Sequence, residues 1–317
     1  MRQTAGDGAG GSWALKILGV ALIASLTILL GVLAIPGASG AQQTPPPFLV
    51  NEGPPPPGAN IACKPSKEHP YPVVLVHGTF ERMAQNWKTI SPLLKQEGYC
   101  VFAIDYGTNG LGRIGRSAQE LEVFVDRLLR YTGAEKVQLV GHSQGGMMPR
   151  YWIKYLGGKG KVEDLVGFAP SNYGTNLGSA TSQNSTAEDW DVEGAEPTGN
   201  PCYSCDQQGA DSRFIERLNA GDDTPGGGSF TQIATDDDEI IIPFRNCFLR
   251  GTERTENVIL QNYYQRKYDL NPVVTHQNIY EDPVAVQFML DALDNPGPVD
   301  PDRALNDFPT TPPPPLP

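Results

Sequence analysis

Residues Gly141-His142-Ser143-Gln144-Gly145 form a short segment in which a serine stands between two glycines. It follows the apolar run 137–140 and precedes a helical pattern over 147–156, the setting of a sharp strand-to-helix elbow. The glycines leave room for the tight turn, which lifts the Ser143 hydroxyl above the end of a sheet. A hydroxyl is a weak nucleophile until a base takes its proton. The chain should therefore also hold a base, an acid to orient that base, and N–H donors for the oxyanion that forms during acyl transfer.

Four histidines are available for the base. His69 and His77 precede the elbow, and His142 lies inside it, where its side chain is expected to point away from Ser143. Around such an elbow the order along the chain is Ser, acid, His, and only His276 follows Ser143. The acid should come between them, just past a strand. Asp236-Asp237-Asp238-Glu239 follows the apolar run 230–234, and one of these carboxylates is the expected partner of His276. Asp211, Asp222 and Asp223 are expected on the surface of an insertion, and no strand directly precedes Asp269. One oxyanion donor is expected from the backbone N–H of Gln144. The other is expected from Thr79, after the run 73–76 in His77-Gly78-Thr79, with the Thr79 hydroxyl as a further donor.

Holding these groups at one edge requires a particular scaffold. Short apolar runs at 73–76, 101–104, 137–140, 165–168, 230–234 and 258–260 lack alternation, as strands buried on both faces do. Between the second and third, Leu121, Phe124, Val125, Leu128 and Leu129 make one helical stripe, with Ser117 and Glu120 in the pattern of a capping box. A last helix is expected over 283–293, with Pro283 in its first turn. The order predicts an α/β fold: a mostly parallel sheet with helices on both faces. Residues 171–228 interrupt it with a long polar stretch, expected to be a lid-like insertion whose Leu177, Trp190 and Val192 face an acyl chain.

Composition narrows the partners. The net charge of −12 opposes binding to polyphosphate, so nucleic acid is not an expected partner. Arg2 and Lys16 precede an apolar run over 17–35, and Ala38, Ser39, Gly40 and Ala41 follow it, the order of a secretory signal cleaved after Gly40 or Ala41. The run is also long enough to span a bilayer as an uncleaved anchor. The expected organisation is a signal over 1–41, a Pro-rich linker over 42–60, a catalytic domain over 61–295 and a disordered Pro-rich tail over 296–317. Five cysteines suit an exported chain, and their odd number leaves at least one unpaired within it. Cys202 and Cys205 have metal-pair spacing, but no second pair or nearby histidine accompanies them, so neither metal nor cofactor is expected.

Several motifs in order carry a family resemblance. Residues 72–79 (PVVLVHGT), 98–102 (GYCVF), 167–175 (GFAPSNYGT) and 233–239 (IATDDDE), with His276 followed by Asp282-Pro283, resemble the secreted class 2 lipases of actinobacteria. The acid turn is more distantly similar to that of the fungal lipase B type. The resemblance covers about residues 61–294. It implies the α/β-hydrolase fold and lipase or carboxylesterase activity without a cofactor. It also implies Ser143, Asp238 and His276 as the catalytic triad, and a Cys63–Cys100 disulfide. Residues 261–272 lack the cysteine that family members often carry there, and Cys247 stands elsewhere, which leaves the pairing of Cys202, Cys205 and Cys247 open. The expected function is that of a secreted, monomeric triacylglycerol lipase that meets its substrate at a lipid–water interface. A short-chain carboxylesterase, an acyltransferase and a non-catalytic binding protein of the same fold are the alternatives.

Overall fold

A computed structural model describes residues 46, 53–177, 201–306, 308–311, 313 and 314. The expected signal segment, Trp190 and Val192 lie outside the described residues. Six parallel strands form one sheet in the order β2-β1-β3-β4-β5-β6. They are β1 (Val73–Val76), β2 (Val101–Ile104), β3 (Val137–His142), β4 (Val162–Phe168), β5 (Ser229–Ala234) and β6 (Thr255–Ile259). The predicted α/β architecture is the observed one. Because successive side chains of a strand point to opposite faces, the apolar runs divide into two cores. Val73 and Leu75 pack on one face with Phe288 and Met289. Val74 and Val76 pack on the other with Leu121, Phe124 and Trp152.

The covering helices include α1 (Ile90–Gln96), α2 (Ile114–Thr132), α3 (Gln144–Tyr155) and α4 (Pro283–Asp294). Leu121, Phe124, Val125 and Leu128 of α2 are buried as the stripe predicts, and Gly133 ends the helix in the left-handed conformation at φ 80°. The expected capping box is not formed. Helix α2 begins earlier, at Ile114, which places Ser117 and Glu120 inside it. Glu120 Oε2 instead accepts the backbone N–H of Gly107 at 3.0 Å. At α4, Pro283 opens the helix and the Asp282 side chain accepts the N–H groups of Val284 and Ala285.

Both proline-rich flanks contribute to the fold. Asn60 lies in the expected linker, yet its side chain donates to Ala103 O and accepts from Ala103 N, each at 2.9 Å. Asn60 N also donates to Val101 O at 3.0 Å, so the segment covers the open edge at β2. In the expected disordered tail, Pro301–Asn306 is helical, and Val299, Ala304 and Leu305 are buried in the core. Arg303 makes two bonds of 2.7 Å to the Asp291 carboxylate of α4, which fastens this helix to the domain. The described parts of the 171–228 insertion include two short helices, Tyr203–Gln207 and Arg213–Asn219. Arg150 of α3, fully buried, ties the second of these helices and the neighbouring loops to the elbow helix through Asn172 Oδ1 (3.2 Å), Asn219 Oδ1 (2.6 Å) and Asp223 O (3.0 Å).

Candidate active site

Strand β3 ends at His142 and α3 begins at Gln144, so Ser143 alone makes the turn. Its backbone sits at φ 54°, ψ −122°, a conformation a non-glycine residue holds only when its surroundings enforce it. Here Ser143 N donates to Phe168 O of β4 at 2.9 Å, and Ser143 O accepts Gly146 N at 3.0 Å. A Cβ on Gly141 would lie 2.0 Å from Gly145 O, and one on Gly145 would lie 2.1 Å from Val76 O. Only glycine fits at either place. Ser143 itself is 7% exposed.

The loop after β5 carries the three consecutive aspartates, and Asp238 is the one turned inward. His276 Nδ1 lies 3.1 and 3.0 Å from the two carboxylate oxygens of Asp238, and both side chains are buried. Asp238 Oδ1 also accepts the backbone N–H groups of Ile240 (2.9 Å) and Ile241 (2.7 Å), which fix the carboxylate. Asp236 and Asp237 are exposed. The remaining candidates have other places. Asp223 accepts Tyr173 Oη and Arg250 N, each at 2.8 Å, and Asp269 ends the helix Leu260–Tyr268.

The backbone of His276 is held at both ends. Its N–H donates to Glu239 Oε2 at 3.0 Å, and its carbonyl lies 2.9 Å from His142 Nε2. The His142 ring does not simply point away from the site: it packs beside the His276 ring with centroids 4.8 Å apart. This contact joins the loop of His276 to the elbow.

The loop after β1 meets the same place. A Cβ on Gly78 would lie 3.3 Å from Ser143 Cβ and 2.5 Å from Glu81 Oε2, so the main chain there runs against the serine. Thr79 Oγ1 accepts amide N–H bonds from Gln144 (3.1 Å) and Gln208 (3.0 Å). With both lone pairs engaged, the hydroxyl proton is left to be donated elsewhere. Among the described residues, neither the Thr79 nor the Gln144 backbone N–H has an acceptor. Gln144 Nε2 also donates to Gly110 O at 3.0 Å, which links this corner to the turn after β2.

Cys63 and Cys100 are bonded, as are Cys202 and Cys205, and Cys247 is free and buried. Burial pushes the Cys247 thiol well above its usual range. Among the described residues, no group of three His, Cys, Asp or Glu side chains is arranged to hold a metal ion.

The model of the family described as Lipase (class 2) matches residues 70–289, the span that holds the elbow, the acid loop and His276. The chain belongs to the class 2 lipase family. It is 33% identical over 134 residues to a triacylglycerol lipase of Burkholderia plantarii, covering 38% of this chain and 33% of that one. It is 39% identical over 93 residues to a triacylglycerol lipase of Pseudarthrobacter phenanthrenivorans, covering 26% of this chain and 27% of that one. The matched stretches thus span about a third of the length of these curated relatives. Among solved structures, Aspergillus fumigatus lipase B superposes with a TM-score of 0.59 at 23% identity, covering 75% of this chain and 55% of that one, a likeness of fold.

Within this class 2 lipase fold, sequence reasoning passed over Glu81, His142 and Gln208 as parts of the site, and weighed Glu239 only as a partner of the His276 ring, not of its backbone N–H. Glu81 lies three residues beyond Gly78, and Glu239 is next to Asp238. For Gln208, 129 residues from Thr79, no local signal exists.

Proposed function

We propose that the chain is an exported carboxylic ester hydrolase acting on acylglycerol lipids. Ser143 is its nucleophile, His276 its base, Asp238 its acid, and Thr79 and Gln144 are its oxyanion donors. The observation that carries this reading is the buried Asp238–His276 pair, whose loop is joined through His142 to the serine elbow.

In acylation, Ser143 Oγ attacks the ester carbonyl carbon while His276 Nε2 takes the serine proton. Asp238, on Nδ1, holds the imidazole in the tautomer that leaves Nε2 able to accept, and stabilises the imidazolium. The carbonyl oxygen becomes an oxyanion facing the N–H groups of Thr79 and Gln144 and the Thr79 hydroxyl. Collapse breaks the ester C–O bond, and His276 returns the proton to the departing alcohol. Water, deprotonated by His276, then attacks the acyl-enzyme. The acid leaves and Ser143 regains its proton.

A lipid substrate is favoured over a small soluble ester by the apolar side chains beside these loops. Phe80 follows Thr79 and is 67% exposed, and Val273 lies three residues before His276 and is 74% exposed. Leu177 and Ile242, brought together by the 2.8 Å bond from Asn176 N to Ile242 O, are also exposed. The two disulfides and the basic–apolar–small order of residues 1–41 support export to an oxidising compartment. No helix among the described residues is long and apolar enough to cross a membrane.

The test is hydrolysis of an acyl-chain series, from soluble short esters to emulsified triacylglycerols, by the parent chain and by Ser143→Ala. The expected result is turnover that favours the long chains and is lost in the variant while the fold survives. A purified variant that keeps more than a few per cent of the parent rate would overturn the assignment.

A further inference from the structure

Acyl transfer uses Ser143, His276 and Asp238, and leaves a second buried imidazole without a role. His142 is 1% exposed, yet both its ring nitrogens have partners. Nδ1 lies 3.0 Å from Glu81 Oε2, and Nε2 lies 2.9 Å from the carbonyl oxygen of His276. A carbonyl can only accept. Glu81 Oε2 already accepts the backbone N–H of Gly78 at 2.9 Å, as a carboxylate does. A neutral imidazole carries one N–H and would set one of its nitrogens acceptor-to-acceptor. Both contacts are satisfied at once when the ring carries two protons.

We propose that His142 and Glu81 form a buried imidazolium–carboxylate pair that positions the catalytic loops, His142 fixing the carbonyl of His276 and Glu81 fixing the N–H of Gly78 beside Thr79. The proposal rests on the function proposed above and adds two positioning residues to it. The base loop and the oxyanion loop are 198 residues apart, as the numbers of Gly78 and His276 give (276 − 78), and this pair bridges them. A Cβ on Gly78 would lie 2.5 Å from Glu81 Oε2 and 3.2 Å from His142 Nδ1, so a larger residue there would push against the pair. The other groups facing the ring do not replace the pair. Asn86 Nδ2 is 3.5 Å from Nδ1, and its Oδ1 takes the Gly78 N–H at 3.2 Å. Tyr280 and His142 pack edge to face with centroids 4.8 Å apart, and burial holds His77 below its ordinary range, which favours its neutral ring. Burial tends to raise Glu81, but the attraction and hydrogen bond of His142, together with the Gly78 N–H and the nearby His77, outweigh it and hold the carboxyl below its ordinary range.

The test reads the protons and the kinetics separately. In protein labelled with ¹⁵N-histidine, long-range ¹H–¹⁵N spectra near neutral pH report each ring nitrogen, and His142→Gln assigns the signals by their loss. Both nitrogens of His142 are expected to be protonated, in the parent and in Ser143→Ala alike. On a small soluble ester, Glu81→Ala is expected to lower kcat about 10- to 100-fold with KM changed less than about threefold, as a misplaced base would. Glu81→Gln is expected to restore only part of that loss. Its amide N–H can donate to Nδ1 while a neutral ring, now unprotonated at Nδ1, still donates to His276, but an N–H group at that position can no longer accept the Gly78 N–H. A parent His142 with one bare ring nitrogen, or a Glu81→Ala chain with the parent kcat, would overturn the pair. A parent inert to every ester would instead sink the proposed function, and the nitrogen spectra would still decide the protonation of His142.

Discussion

Two buried aspartates lie toward opposite ends of the same sheet, and their neighbours set them apart. Asp238 follows the C-terminal end of β5 and faces the His276 imidazole and two backbone N–H groups. Asp164 lies near the start of β4. Its Oδ2 accepts Gln138 Nε2 of β3 at 2.9 Å, and its Oδ1 pairs with the Ser229 hydroxyl of β5. Both partners are neutral. Burial therefore dominates at Asp164 and pushes it up to about 7, against the lowering effect of the two hydrogen bonds. One carboxylate is set beside a side chain that can become positive, and the other is best accommodated with its proton on. The proposed mechanism places its chemistry at the end of the sheet that also holds His276.

The comparison breaks most visibly under an isosteric exchange. Asp238→Asn is expected to lower kcat by about 10³- to 10⁴-fold, because the amide favours the wrong tautomer of His276. Asp164→Asn is expected to leave kcat near the parent value. Equal losses in assays of the two purified, folded variants would erase the distinction between the ends of the sheet. Next in size is the Cys63–Cys100 bridge, which ties the chain before β1 to the start of β2 and spans 37 residues. Its removal is expected to cost about 4 kcal/mol in the chain-entropy estimate. Removal of Cys202–Cys205, which spans 3 residues, should cost less than half as much; urea unfolding of the two double Cys→Ala variants reads the difference.

The Asp164 prediction has a definite sign. A carboxyl raised in the folded state contributes stability in full below its unfolded value, and that contribution is lost as pH rises through the folded value. For Asp164 the window runs from the ordinary 3.8 up to about 7. The parent should lose stability across that window, and Asp164→Asn should lack this part of the slope. From below pH 3.8 to above pH 7 the variant is expected to gain about 4 kcal/mol in stability relative to the parent. Parallel stability–pH curves would contradict this. The smallest effects are expected at Asp236→Asn and Asp237→Asn, whose exposed side chains should leave kcat within about twofold of the parent.

These contrasts follow how much of the site could be read from the chain. The elbow was legible because its signal is local: a serine between glycines, an apolar strand before it and a helix after. His276 followed from chain order, since no other histidine comes after Ser143. The carboxylate that meets His276 was legible only to within a loop, because consecutive aspartates share every local property, and the choice of Asp238 came from family resemblance. Glu81 and His142 pair across 61 residues, and nothing in either neighbourhood marks the contact. The flanks were misread for a different reason. Their proline content suggests an open chain, yet Pro301 opens a helix, and Val299, Ala304 and Leu305 find apolar surface to cover. Arg150 was equally hidden, because a guanidinium in an apolar helix reads as surface until carbonyl and amide oxygens from distant loops converge on it.

The central claim is that Ser143, activated by the Asp238–His276 pair, is the nucleophile. The most direct measurement is labelling of the purified chain by a serine-directed alkyl phosphonate, followed by peptide mapping. The expected result is one label per chain, on Ser143, with labelling slowed by orders of magnitude in Asp238→Asn and near the parent rate in Asp164→Asn. A label on any other residue, or labelling of Ser143 at the same rate in all three proteins, would contradict it.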